Sequence, residues 1–267
     1  MLSFRDLASG FRQLNLDRTR PVIVHASLSA FGEVRGGIET LLGAVLMTVD
    51  AVMAPTFTYN TMVIPETGPE YNGLVYGSGK DINRMAAPFR MDMPADRLMG
   101  ALAETLRHHP NSLRSNHPIL SFAGVNVKEA LDEQTLEDPL APIGWLVERG
   151  GWVVLLGVDH TVNTSIHYAE KLAGRRQFVR WAITGGSRIA ACPGFPGCSN
   201  GFGVLDQSLR EITREVRIGN ARVRALPLRL MVPQIAEMVR RAPEALLCEN
   251  PACERCSAIR SAIEPAS

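Results

Sequence analysis

Trp152-Val153-Val154-Leu155-Leu156-Gly157-Val158 offers no polar side chain to water. The run is far shorter than the about 20 apolar residues that cross a membrane, and it suits a strand covered on both faces. A strand of that kind needs elements packed above and below it, which points to an α/β chain. Val22-Ile23-Val24-His25 reads as another buried strand, Ile38 to Leu46 as a helix introduced by Gly36-Gly37, and Ala51 to Ala54 as a strand ending at Pro55-Thr56. A strand, helix, strand succession predicts a parallel or mixed central sheet flanked by helices.

The remaining pattern supports that class. Phe4, Leu7, Phe11 and Leu14 mark one face of a helix from Phe4 to Leu16, and Ser3 with Asp6 resembles a capping box. Asp96 should cap a helix from Leu98 to His108 whose face carries Leu98, Leu102 and Leu106. Further helices are expected over Pro142 to Arg149, Thr164 to Ala173, Leu205 to Thr213 and Leu230 to Arg240. Further strands are expected over Leu120 to Val125, Phe178 to Ile183, Ile189 to Cys192 and Val223 to Leu226. Phe57 to Pro94 is too long for an ordinary connection, so it is either a substrate-binding segment or poorly ordered. With no repeat or linker, 1–267 reads as one domain that carries a Cys-rich C-terminal segment, 241–267.

Charge excludes some partners. Lys and Arg number 28 against 27 Asp and Glu, so there is no basic footprint for nucleic acid or an anionic membrane. The N-terminus lacks the basic start and apolar stretch of a signal peptide, and a cytoplasmic location is expected. Five cysteines in the last third then read as thiols or metal ligands. Cys248, Cys253 and Cys256 form a C-x4-C-x2-C run with the spacing of a zinc knuckle, and Cys192 or Cys198 could complete it. Cys198 is preferred, because Gly197 lets the backbone turn beside it. Four thiolates would make a closed, structural zinc site; the alternative is a set of reduced thiols.

Three segments could carry chemistry, each where a strand ends. His25, Ser27 and the turn Phe31-Gly32 to Gly36-Gly37 could expose N–H donors to a phosphate, or simply start a helix. Ser115 and His117 precede Pro118, which holds His117 extended. Asp159, His160, His167 and Glu170 follow the strongest strand, with His167 and Glu170 three apart on one helix face. A histidine oriented by a carboxylate is the usual form of a general base; the alternative is a buried helix histidine bonded to backbone.

Taken in order, these segments resemble the aminoglycoside N3-acetyltransferase family. The likeness runs through Val24-His25-Ala26-Ser27-Leu28, Ala54-Pro55-Thr56, Met99 to Glu104, Arg114-Ser115-Asn116-His117-Pro118, Pro142-Ile143-Gly144 and Leu155 to Glu170. The resemblance implies the antibiotic N-acetyltransferase fold, distinct from the commoner acetyltransferase fold. It also implies transfer of an acetyl group from acetyl-coenzyme A to a primary amine, such as the 3-amino group of an aminoglycoside (antibiotic resistance) or a related amino sugar. By matching position, His167 is implied as the base, and His25, Ser27, Phe31, Gly32, Gly36, Gly37, Ser115 and His117 as coenzyme-binding. The expected partners are those two small molecules, and a homo-oligomer is left open.

Two departures bear on the substrate. Thr161 stands where family members carry an Asp before the base, so Asp159 or another carboxylate must orient His167. Cys192 to Asn200 holds no carboxylate where a polycation would need one. A non-catalytic, zinc-stabilised protein that binds coenzyme A or an amine is the alternative reading.

Overall fold

Ser3 starts the first helix as expected. Its hydroxyl accepts the Asp6 N–H, and the Asp6 carboxylate accepts the Ser3 N–H at 2.8 Å. The computed structural model describes residues 1–263; the last four residues of the Cys-rich segment lie outside the described residues. In chain order the elements are α1 (Phe4–Gln13), β1 (Val22–Ala26), α2 (Gly37–Thr48), β2 (Val52–Pro55), β3 (Met62–Val63), α3 (Lys80–Met85), α4 (Gly100–Arg107), β4 (Ser112–Arg114) and β5 (Phe122–Val125). They continue with α5 (Lys128–Asp132), α6 (Ala141–Glu148), β6 (Trp152–Leu156), α7 (Thr164–Leu172), β7 (Phe178–Ile183) and β8 (Ile189–Phe195). The C-terminal third adds α8 (Leu205–Ser208), β9 (Arg214–Ile218), β10 (Ala221–Pro227), α9 (Leu228–Arg241) and α10 (Glu254–Ile263).

Seven strands form a mixed sheet in the order β4-β5-β2-β1-β6-β10-β9, in which β1 pairs parallel with β2 and with β6 and the other neighbours pair antiparallel. The apolar run at Trp152 lies inside that sheet, with Val24 opposite Val154 and Leu226 opposite Val153. Side chains on a strand alternate between faces. Accordingly Val22, Val24 and Val154 pack with Leu7 and Phe11 of α1, Leu41 of α2 and Leu106 of α4. Ile23, Val153 and Leu155 pack on the other face with Ile143 of α6, Ile166 of α7 and Ile235 of α9. A smaller sheet, β3-β7-β8, adds Phe178 and Phe195 to this second core.

Two expectations need correction. Arg97–Met99 is a 3-10 turn capped by Asp96, and Gly100 has φ +81°, so the α-helix starts only there. Leu98 therefore leaves the buried face of Leu102 and Leu106 and stands 77% exposed. The helix expected over Leu205 to Thr213 is one turn, α8, followed by a 3-10 turn at Arg210–Ile212. Its buried anchors, Leu205 and Leu209, span only that turn. The long segment after Phe57 is folded onto the smaller sheet. Asn72 bonds both backbone groups of Val179, and Arg180 donates to the carbonyls of Asn72 and Gly73.

Candidate active site and cysteine cluster

Because β2, β1 and β6 are parallel, they end on one edge of the sheet, at Pro55, Ala26 and Leu156. Neighbours β2 and β6 lie on opposite sides of β1, so the chain diverges at β1, and ligand crevices form at such points in α/β sheets. The segments singled out from the sequence all emerge here or beside it.

His167 sits in the first turn of α7, which Asn163 caps by accepting the Ser165 N–H. Its Nδ1 lies 2.7 Å from Glu170 Oε2. With the carboxylate oxygen as acceptor, Nδ1 is the donor of this bond, and Nε2 is directed away from Glu170. The orienting carboxylate is Glu170. Asp159 instead accepts the Thr161 N–H at 2.9 Å and the Thr161 hydroxyl, capping a 3-10 turn, and makes no hydrogen bond to His167 among the described residues. The other oxygen of Glu170 accepts from Arg175 at 2.6 Å.

Two more imidazoles near this edge are buried with a nitrogen unpartnered among the described residues. His117 Nδ1 accepts the N–H groups of Ile119 and Leu120 at 3.1 and 2.9 Å, which places its proton on Nε2. That Nε2 and the Nε2 of His25 are buried with no hydrogen-bond partner among the described residues. Burial pushes His117 down to about 4 and His25 down to about 3, so both are neutral at pH 7. Unpaired buried polar atoms are costly, and a bound ligand that pairs with them recovers that cost.

Other expected coenzyme contacts are occupied within the fold. Phe31 is buried in the core under the turn, so its ring cannot face a ligand. The Ser115 hydroxyl accepts the Phe122 N–H at 2.9 Å and donates to the Phe122 carbonyl, holding β5. Ser27 Oγ lies 3.0 Å from Ser29 Oγ. The N–H groups of Ser27 and Thr56 go to the carbonyls of Leu156 and Ser121, so neither is free to stabilise an oxyanion. Gly32, Gly36 and Gly37 have φ of +79°, +77° and +61°, a backbone path that favours glycine.

Sequence reasoning missed Arg114 and Arg175 as organisers. Arg114 donates to the carbonyls of Thr56, Met91 and Met93, tying the long segment to the end of β2, and burial lowers it to about 10. The spacing of Arg175, five residues after Glu170, was the signal available. Beside Asn116 and Pro118 opens a cleft of about 690 Å³ that also takes in Phe89, Arg90, Thr184 and Arg188. Its charged lining is cationic.

The four cysteines preferred from the sequence do converge. The sulfurs of Cys198, Cys248, Cys253 and Cys256 all lie within 4.8 Å of one another. Cys192 is buried elsewhere, in the core, where burial pushes its thiol up to about 11. In the cluster, burial raises Cys198 and Cys256; burial also opposes ionisation of Cys253, but hydrogen bonds from the Cys256 N–H and neighbouring thiols hold it below the ordinary thiol value. The N–H groups of Asn200 and Cys248 point to Cys198 Sγ and Cys256 Sγ, each at 3.4 Å, as donors to thiolates do. A tetrahedral zinc with bonds of about 2.3 Å needs sulfurs about 3.8 Å apart, so this donor set fits the ion.

Comparison with known proteins identifies the family. A model of the aminoglycoside 3-N-acetyltransferase family matches residues 23–240. An aminoglycoside N(3')-acetyltransferase-like protein of Bacillus subtilis, YokD, is 30% identical over 173 residues, covering 62% of this chain and 64% of the relative. Aminoglycoside N(3)-acetyltransferase IX of Micromonospora chalcea is 34% identical over 166 residues, covering 58% of this chain and 57% of the relative. The aligned stretch is thus under two thirds of either relative. The crystal structure of aminoglycoside acetyltransferase AAC(3)-IVa shares the fold, with a TM-score of 0.79 at 22% identity over 97% of both chains. So does AAC-IIIb in its binary complex with coenzyme A, with a TM-score of 0.74 at 22% identity over 90% of this chain and 97% of that one. The matched family model spans most of the sheet and the whole His167 site, and the chain belongs to the aminoglycoside 3-N-acetyltransferase family.

Proposed function

We propose that this protein transfers the acetyl group of acetyl-coenzyme A to a primary amine, with His167 as general base. The carrying observation is the 2.7 Å bond from Nδ1 to Glu170, which leaves Nε2 as the free base. An amine is largely protonated at pH 7 and must attack as the free base. As its nitrogen bonds to the acetyl carbon, the C–S bond breaks, Nε2 accepts the ammonium proton, and the coenzyme leaves as the thiolate. His25, Ser27 and the Gly32 to Gly37 turn, which follow the end of β1, are assigned to the coenzyme side, and the unpartnered Nε2 atoms of His25 and His117 support that reading, with His117 Nε2 as a further donor. AAC-IIIb, which shares the fold and is bound to coenzyme A, supports coenzyme A as the co-substrate. Of the residues first assigned to that side, Phe31 and Ser115 act by holding backbone.

The acceptor belongs to the aminoglycoside or amino-sugar class, as in the named relatives. The absence of a carboxylate from Cys192 to Asn200 favours an amine of low positive charge over a polycationic antibiotic. Cys198, Cys248, Cys253 and Cys256 hold one structural zinc ion; with four thiolates it has no open position for substrate, and its contribution when bound is a cross-link. Thiol release from acetyl-coenzyme A, followed with a panel of aminoglycosides and amino sugars, tests the reading. Release that depends on an amine and vanishes in His167→Ala supports it. No release with any amine favours a binding protein of the same fold.

A further inference from the structure

Glu170 is buried and has a partner on each oxygen: His167 Nδ1 on one and Arg175 on the other, the arginine side chain being 2% exposed. Arg175 does more than neutralise it. Its second nitrogen donates to the carbonyls of Pro243 and Ala245, at 2.8 and 2.6 Å. Those carbonyls lie on the turn that leads into Cys248. Leu246, between them and the cysteine, takes a left-handed backbone, φ +69°. Its carbonyl lies where a Cβ on Gly201 would be only 2.4 Å away. Gly201 in turn joins Cys198 to Phe202, whose ring stands 4.9 Å from that of His167. Two of the clustered cysteines thus sit a few residues from the two supports of the imidazole.

We infer that Arg175 is a positioning residue for His167, itself held by the chain segment that the cysteine cluster clamps. The inference rests on the reading of His167 as general base. Glu170 and Arg175 are the charged groups bonded in this chain, and Phe202 covers the ring with apolar surface. With the guanidinium bonded to its other oxygen, Glu170 is fixed to present Oε2 as the acceptor for Nδ1, which turns Nε2 away from the carboxylate. The positive charge of the guanidinium also opposes the negative charge of the carboxylate beside the ring. Cross-linking the 243–248 turn to the 198–202 loop keeps the carbonyls that seat Arg175 in place.

The test uses zinc-loaded protein labelled with ¹⁵N, His167→Ala assigning the ring. The parent should show a protonated Nδ1 and a bare Nε2 at neutral pH. In Arg175→Met that ring should become protonated at higher pH, and the acid limb of the kcat profile should move up with it. At pH 7, kcat should fall about 10- to 100-fold, the range for loss of an outer partner of a functional imidazole, with both KM values within about twofold. Arg175→Lys restores the cation and so the acid limb, but only part of kcat, because one ammonium cannot span Glu170 and both carbonyls. Removing zinc below the melting temperature should shift the same ring signal. The inference is overturned if Arg175→Met keeps the parent ring signal and pH profile and loses only melting temperature. It is equally overturned if the parent ring carries its proton on Nε2, a result readable even where Arg175→Met does not fold, or if zinc removal leaves the ring signal unchanged. A parent that transfers no acetyl group would instead overturn the proposed function, and the ring signals would still decide the role of Arg175.

Discussion

The ring of Phe202 lies 4.9 Å from that of His167, the two planes inclined at 58°, so a loop that begins at a clustered cysteine ends against the proposed base. Phe202 is fully buried, and its contact with α7 fixes where the imidazole can sit. Phe202→Leu keeps most of the apolar volume but loses the flat ring face. We expect a stability loss of about 1–2 kcal/mol by urea unfolding, as for shape-changing core substitutions. The fall in kcat should exceed that in a control such as Leu209→Met, which is as deeply buried. Equal kinetics in the two variants would make Phe202 ordinary core.

His167→Ala should lower kcat about 10²- to 10⁴-fold, the usual worth of general-base help, while acetyl-coenzyme A binding by calorimetry stays near that of the parent. A variant within threefold of the parent would remove His167 from the chemistry. Glu170→Gln goes further than a loss of charge, because it leaves Arg175 buried without its counter-charge. Breaking a buried pair costs about 3–5 kcal/mol, so this variant should unfold at markedly lower urea.

The glycine turn discriminates coenzyme from acceptor. A Cβ on Gly36 would stand 2.4 Å from Thr40 Oγ1, so substitution there tests the fold. Gly37 has room, with Glu39 Oε2 at 3.8 Å, though its φ of +61° strains any side chain. Gly37→Ala should therefore raise the KM for acetyl-coenzyme A more than that for the amine. The opposite pattern would assign the turn to the acceptor.

Acid should destabilise the protein before its carboxylates titrate. His25, His117 and His160 are held neutral, at about 3, 4 and 4, chiefly by burial, with Arg224 also acting on His160. Unfolded, each takes a proton near 6.5. The stability of the neutral forms is complete above that value and is lost as pH falls from about 6.5 toward about 4, since the unfolded chain then binds more protons. Three such groups give a slope of up to about 4 kcal/mol per pH unit, at about 1.4 kcal/mol for each proton. Urea midpoints that stay level between pH 7 and 5 would mean these rings are solvated.

Purified protein should carry one zinc per chain, with sulfur neighbours at about 2.3 Å by X-ray absorption. Chelation should lower the melting temperature, because metal bound only by the folded chain stabilises it. Cys256→Ser should lose the metal, whereas Cys192→Ser, altering a thiol outside the cluster, should keep it. Well under one zinc per chain, with no melting shift on adding zinc, would leave these residues as ordinary thiols.

The sequence by itself determined the layers. Val22 to His25 and Trp152 to Leu156 carry enough uninterrupted apolar surface to demand cover on both faces, and local spacing alone places Ser3, Asn163 and the Gly36-Gly37 turn at helix starts. Spacing also paired His167 with Glu170, because three residues on one helix bring side chains together whatever surrounds them. β9 was hidden: Arg214, Glu215 and Arg217 give no apolar alternation to mark a strand, yet an outer strand tolerates charge, and Glu215 pairs across to Arg222. Only tertiary structure decided between Cys192 and Cys198, and between Asp159 and Glu170. It alone set Arg175 against carbonyls nearly seventy residues along the chain. Those choices depend on which backbone groups long-range packing brings near and which it has already consumed, as Thr161 consumes Asp159 and Phe122 consumes Ser115. No local pattern records that competition for partners.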